Sequence, residues 1–539
     1  MEEIFSAFAK IQAASNFFTF EAVQRSFLKN LLWLQALNWL IKPLWILLIE
    51  REVQLQLGDG LYGQYAVHFG IGTLFAVLLD AGINSFISRE IAISGFLGSW
   101  KRIVGLRFVL GLLYIALVLL FSAFQAAIQW NLIGLVVVNQ VLAALVLMVR
   151  SVLQGRHLFK WDSIVSVADR FTAIMVLVGV FGLFSADGLG KSGVEKFFAA
   201  QGVGYLMALM LGFIFTKGDV LGRKSGEMET NVSDSLNNEP VSIKFWVQGM
   251  GWFVVLGLAM SAFTRLDIQM LQWFTLDITA ELSLPADFLQ PENPGYLANG
   301  MYAKGYRFLD AALIFSSMLS VQLLPLFSKR ISEKLDLQPL VWLGFRLVFM
   351  VSALAAFVGF FYGKSLMAVF YKITTDAEAH NMGMLFFGFM LVFVAMSTVH
   401  VFGTLVTAAG DVKWLSFLAI ICLLINVIID RLRIPMGGPF GALEGGLVTQ
   451  SVFALGCIYR AHKRRLFIWN WKYAEFFVFQ ILVPAVIFSV IWALSGLTSV
   501  LNSSSIVWLS LGFSLLISLM ILGYLNFCKE IKAWLKSRG

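Results

Sequence analysis

The chain has 539 residues, is 59% hydrophobic and only 13% charged, and carries a formal charge of +8. A soluble domain is about 25% charged, and no soluble core could absorb this much apolar sequence, so the bilayer is the expected solvent. Cys422, Cys457 and Cys528 fall in apolar runs with no CxxC and no histidine cluster, which excludes a disulfide framework and a zinc site of the usual spacing.

In chain order, Met1-Glu2-Glu3 is acidic and no small-residue cleavage site follows, so the start does not read as a secretory signal. Residues 1–20 read as a short interfacial helix or a tail. At about 20 apolar residues per span, about fourteen spans are expected. They cover roughly 26–49, 64–88, 103–124, 131–150, 164–184, 197–216, 245–275, 301–327, 340–362, 382–408, 413–430, 440–459, 474–496 and 505–527. Basic clusters occupy alternate loops: Arg89/Lys101/Arg102, Arg150/Arg156/Lys160, Lys217/Arg223/Lys224/Lys244, Lys329/Arg330/Lys334 and Arg460/Lys463/Arg464/Arg465/Lys472, then the tail from Lys529 to Arg538. By the positive-inside rule both termini are expected in the cytoplasm. This assigns the net positive charge to cytoplasmic loops, with no nucleic-acid partner. The longest polar segments are 217–244, a Ser/Asn/Glu-rich linker, and 276–300, an external loop with three prolines.

The two sides of the linker resemble each other. Gly63-Gln64-Tyr65-Ala66 opens the second span and Gly300-Met301-Tyr302-Ala303 the eighth. Ser88-Arg89 is echoed by Ser328-Lys329, and Gly105-Leu106-Arg107 by Gly344-Phe345-Arg346. Three ordered matches at a spacing of about 240 residues indicate a duplicated six-span unit, used twice in one orientation as in many transporters. The expected domains are an N-terminal lobe over 1–216, a linker over 217–244, a C-terminal lobe over 245–460, and two further spans with a basic tail over 461–539.

A charge within a span costs about 2.5–3.5 kcal/mol on insertion scales, so it normally faces a partner, water or a substrate. The clearest cases are Lys42, Asp80, Arg265, Asp267, Lys304, Arg307 and Asp310. The basic members share an outward depth; if their faces converge, Lys42, Arg265, Lys304 and Arg307 line one cavity suited to an anion, and guanidinium groups favour phosphate. Snorkelling to the interface is the competing reading for Lys304 and Arg307, and the preferred one for Arg107 and Arg346. Asp80 either pairs with Arg89 or an amide and locks the first bundle, or gains and loses a proton or binds a cation as the protein changes state. Asp310 lies three residues after Arg307, on the same helix face. Asp80, Asp267 and Asp310 are thus the candidates for gating or ion coupling. His68 and His400 read as packed side chains. No Walker-type loop and no nucleophile or metallohydrolase motif is present, so neither ATP nor enzymatic chemistry is expected to drive the protein.

Three stretches carry a family resemblance. They are Leu57-Gly58 with Tyr62-Gly63-Gln64-Tyr65, Leu79-Asp80-Ala81-Gly82-Ile83 and Arg89-Glu90; Gly300-Met301-Tyr302-Ala303 through Pro325 and Ser328; and Asn426, Asp430, Ile434-Pro435, Gly437-Gly438 and Gly441-Ala442. Together they resemble the polysaccharide and oligosaccharidyl-lipid flippases of the multidrug/oligosaccharidyl-lipid/polysaccharide exporter superfamily. Asp430 departs from the pattern, which more usually has Asn there. The resemblance implies an all-α polytopic fold with two six-helix lobes around a central cavity plus two C-terminal helices. It implies a flippase that moves a polyprenyl-diphosphate-linked oligosaccharide from the inner to the outer leaflet of the cytoplasmic membrane by alternating access. It also implies coupling to an H+ or Na+ gradient or to membrane potential; no cofactor is expected. A polysaccharide polymerase and glycosyltransferases are the expected partners, and a monomer is the expected state. The alternatives are a peptidoglycan-precursor flippase, a cation-coupled drug exporter and, in another class, a membrane-embedded polysaccharide polymerase.

Overall fold

The structure is a computed structural model, and it describes residues 41, 43–94, 100–125, 128–156, 158–185, 188–190, 192–222, 243–275, 294–468, 472–497, 510–512, 514–518 and 521. The interfacial segment 1–20, most of the first and fourteenth spans, Lys42, most of the 217–244 linker, the proline loop before residue 294 and the basic tail lie outside the described residues. All described elements are helical. They are α1 (Arg51–Phe75), α2 (Val77–Asp80), α3 (Ile83–Ser94), α4 (Trp100–Ala123), α5 (Trp130–Gly155), α6 (Phe159–Met175), α7 (Gly193–Gly222), α8 (Ile243–Phe274), α9 (Pro294–Ser332), α10 (Gln338–Tyr371), α11 (Asp376–Ala408), α12 (Val412–Gly437), α13 (Pro439–Lys463) and α14 (Lys472–Leu497).

Among the described residues, eleven helical runs are long and apolar enough to cross a membrane, and the chain is a multi-pass membrane protein. Runs three to twelve of the expected series are each present as one helix, most of them extended by a turn or more. The difference lies at the start. The loop expected between 49 and 64 is helical on both sides of Gly58, and one run extends over Trp45–Ser88. Glu50, Arg51, Glu52 and Asp59 made that stretch look like a loop. Its connection is a single glycine, at φ 70° and ψ 173°, a backbone state that costs glycine little and other residues much.

The chain divides into two compact units: Leu78–Trp246 in one, and Ile46–Val77 with Val247 onward in the other. In the first, Ile83, Ile87 and Ile91 of α3 pack with Ile103 of α4 and Met148 of α5. Val146 and Leu153 of α5 pack with Val165 and Ala168 of α6 and Ala208 of α7. Buried polar bonds tie the same helices. Asn139 donates to the Phe198 carbonyl at 2.9 Å, and Arg150 and Gln154 both hold the fully buried Asp162, at 2.7 and 3.0 Å. Bonds of this kind matter in lipid, where apolar burial alone does not drive helices together.

In the second unit, Phe263, Phe327, Phe345, Phe402 and Phe453 form the centre of the core. The unit differs from the sequence-derived C-terminal lobe by taking in 46–77, because α1 packs along α9. The two glycines of the repeated Gly-x-Tyr-Ala motif meet at this crossing. A β-carbon at Gly63 would collide with the Tyr296 carbonyl, and one at Gly300 with the Asp59 carbonyl. Glycine at both positions lets the backbones touch, as small residues do in membrane helix pairs. At one end of the unit, Asp411 binds Arg460 at 2.8 Å and Arg464 at 2.6 Å. Burial raises the Asp411 carboxyl, but hydrogen bonds from Arg464 and Arg460 outweigh it and hold the group below the usual carboxylate range.

Candidate functional site

Two clusters in the second unit gather most of the intramembrane charges. The first is built by α9 against α1, α10 and α11. Lys304 and Arg307 are three residues apart and so share a helix face. Lys304 Nζ lies 2.9 Å from Asp59 and 4.0 Å from Glu378, and sits over the Tyr371 ring at 5.6 Å. Arg307 Nε lies 3.1 Å from Glu50 and donates to the Tyr62 hydroxyl at 3.0 Å, while Nη1 binds Asp310 at 2.9 Å. The Tyr371 hydroxyl donates to Gln54 at 2.7 Å, closing the network between α1 and α10. Lys304 is 8% exposed and Asp59 5%, so neither snorkels. Buried charges of this kind are stable only when paired.

Arg265, on α8, is held differently. Its guanidinium lies 5.4 Å from the centre of the Tyr306 ring, and it makes no ion pair among the described residues. Tyr306 in turn packs edge-on against Phe389. Among the described anion-binding candidates, Lys304 and Arg307 are bridged by carboxylates, whereas Arg265 sits against an aromatic ring.

The second cluster lies on α8, α12 and α13. Asp267 accepts a hydrogen bond from the Tyr302 hydroxyl at 3.1 Å, and its other oxygen has no hydrogen-bond partner among the described residues. Asn426 and Asp430 are both fully buried, and both lie within hydrogen-bond reach of Asp267. Asp430 and Asn426 both face Gly445, where a β-carbon would strike Asp430, and Asp267 lies 3.4 Å from the position of a β-carbon on Gly446. Two buried carboxylates therefore face one small-residue patch on α13. Asp267 also lines a small cavity together with Thr264, Tyr302, Tyr306 and Gln450. Buried carboxylates without a cation are costly, and oxygen donors of this type suit a proton or a hard monovalent cation.

Residues 284–512 match the family model described as "Lipid II flippase MurJ". The solved structure described as "Lipid II flippase MurJ, inward closed conformation" is similar with a TM-score of 0.57 at 12% identity, covering 94% of this chain and 99% of that one. The chain has the MurJ-type fold. A multidrug resistance MATE family transporter of the MOP superfamily, in an inward-facing conformation, has a TM-score of 0.49 at 13% identity, over 80% of this chain and 94% of that one. A sequence search of curated proteins finds no match. The superfamily resemblance drawn from residues 57–90, 300–328 and 426–442 agrees with the family-model match and the fold.

Of the residues singled out from sequence, the structure brings Lys304, Arg307 and Asp310 into one network and Asp267 into another. Lys42 lies outside the described residues. Asp80 is in the first unit. Its Oδ1 accepts the backbone N–H of Asn84 at 3.0 Å, capping α3 where Ala81 and Gly82 break the helix with φ of 42° and 78°. Arg107 does not snorkel: it is 7% exposed, donates to Asn84 Oδ1 at 3.1 Å and also reaches the Ala144 carbonyl. Burial is offset there by two hydrogen bonds, so the side chain has no need of the interface. His68 bonds the Gln64 carbonyl and His400 bonds Ser316, both at 2.7 Å, as packed side chains should. Sequence reasoning missed Glu50, Asp59 and Glu378, which it placed in loops or at span ends. It noticed Asp430 only as a departure from a pattern. The signal for Asp430 was its spacing of four from Asn426, which puts both on one helix face.

Proposed function

We propose that the protein is a flippase that turns a polyprenyl-diphosphate-linked saccharide across the cytoplasmic membrane by alternating access, and is a transporter rather than an enzyme. The observation that carries this reading is the buried Lys304–Arg307–Arg265 constellation on α8 and α9 of a MurJ-type fold. Ammonium and guanidinium groups at neighbouring positions suit the two phosphoryl groups of such a lipid. The family match over 284–512 favours a peptidoglycan precursor as the head group. A cell-surface oligosaccharide unit is the second reading, in keeping with the joint motif resemblance at 57–90, 300–328 and 426–442. In that case a polymerase and glycosyltransferases act beside it.

Asp267 and Asp430, with Asn426, are the proposed coupling site. Two carboxylates that lack a compensating charge can take up H+ or Na+ as the protein cycles, which supplies a drive without ATP. A monomer suffices, because both clusters form within one chain.

The test is mass spectrometry of lipids that co-purify with the protein, followed by flipping of the identified lipid in proteoliposomes. A diphosphate-linked glycan is expected, and its head group separates the two readings. Transport of cationic drugs without such a lipid overturns both.

A further inference from the structure

The cations that α9 contributes to the proposed diphosphate site are already held by carboxylates. Asp59 holds Lys304 at 2.9 Å, and Glu50 approaches Arg307 at 3.1 Å. Two anionic groups on one segment thus occupy two cations one helical turn apart. That is the arrangement a diphosphate needs, with two linked anions facing two adjacent donors. Both carboxylates belong to the segment that Gly58 interrupts. Glu50 lies before the break and Asp59 directly after it. The backbone at Gly58 has no continuous helical ladder, so each carboxylate can be re-aimed without unwinding the rest of α1.

We infer that Glu50 and Asp59 are resident competitors for the substrate's diphosphate, holding Arg307 and Lys304 until the substrate displaces them. The inference rests on the reading that Lys304 and Arg307 bind the diphosphate. The exchange replaces one set of anions by another, so no buried cation is left bare in either state, which would cost far more than either pair contributes. The released carboxylates need water, because a buried carboxylate without a partner is strongly disfavoured. Binding is therefore favourable only when α1 separates from α9 far enough to hydrate them. Substrate arrival and opening of this contact become one event. The Gly63–Gly300 crossing, where the two backbones touch, is the joint at which the opening starts.

The experiment measures binding of geranyl diphosphate, a short polyprenyl diphosphate, to the full-length protein in nanodiscs. Glu50→Gln and Asp59→Asn each remove a competitor and should tighten binding about tenfold. Arg307→Met and Lys304→Met should weaken it by at least as much. In the wild-type protein, amide hydrogen exchange over residues 50–65 should speed up when the probe binds. Unchanged or weaker binding by the carboxamide variants overturns the inference, while loss of binding in Arg307→Met leaves the diphosphate reading intact. Wild-type binding by both methionine variants overturns that reading itself. Should Asp59→Asn fail to fold, the wild-type exchange decides: slower or unchanged exchange over 50–65 rejects the competitor role.

Discussion

The two charged clusters of the second unit follow opposite rules. Around Lys304 and Arg307 each cation has carboxylates within reach: Asp59 and Glu378 for one, Glu50 and Asp310 for the other. Around Asp267 and Asp430 two buried carboxyl groups face one patch of α13 and each other, and neither has a basic partner among the described residues. The first cluster is closed and can change only by exchange of one anion for another. The second holds two carboxyl groups with no cation among the described residues, and on the coupling proposal a positive charge completes it. A transporter that binds an anionic lipid and draws on a cation gradient needs one of each kind.

The comparison can be broken most strongly at Arg307. Arg307→Ala leaves the buried Glu50 and the half-buried Asp310 without their cation, and breaking a buried pair in this way costs about 3–5 kcal/mol. Thermal unfolding in detergent should show the loss, and flipping in proteoliposomes should cease. Next is the crossing that holds the closed cluster together. Gly300→Ala places a methyl against the Asp59 carbonyl and must push α1 from α9, a strain of about 1–3 kcal/mol. The same variant should weaken the Lys304–Asp59 pair, seen as faster hydrogen exchange in α1.

The second cluster should respond in the opposite sense. Asp430→Asn relieves the crowding of two buried carboxyl groups against each other, so stability should rise by about 1–2 kcal/mol while cation-driven transport is lost. A variant that is less stable, or that still responds to the gradient, removes the coupling role. The smallest effect is expected at Asp411, a carboxylate outside the spans that shows what ordinary pairing contributes. Its pKa is depressed in the folded protein, so its contribution is complete above the usual carboxylate range and is lost as pH falls through the folded value. Arg464 is half exposed, so the contribution is at most about 1 kcal/mol and should shrink with salt. Unfolding midpoints of wild type and Asp411→Asn should converge as pH is lowered.

Span identity was legible because bilayer thickness imposes a length, and an apolar run of that length can hardly be anything else in water. The third to twelfth spans illustrate this. The same rule misread residues 50–63, where four charges interrupt the hydropathy. Those charges are tolerated in a helix because Lys304 and Arg307, some 245 residues away, neutralise two of them. Hydropathy is local, and compensation by a distant partner leaves no local trace. Asp80 shows the converse. Its position within an apolar run was evident, but the cap it forms on Asn84 depends on the break at Ala81 and Gly82.

The sequence by itself determined that this is an all-helical membrane protein, that a Gly-x-Tyr-Ala motif occurs at 63–66 and again at 300–303, and that a few charges sit where charge is costly. Composition, span length and spacing suffice for those statements, because each rests on the free energy of single residues in lipid. Only the tertiary structure decided how the charges combine. It set Asp59 and Glu50 against Lys304 and Arg307, gathered Asp267 with Asp430 and Asn426, and pressed Gly63 against α9 at the very residues where the repeat recurs. Hydrogen bonds and close ion pairs form only across a few ångströms, so which groups are neighbours, and not which groups exist, determines what each cluster can bind.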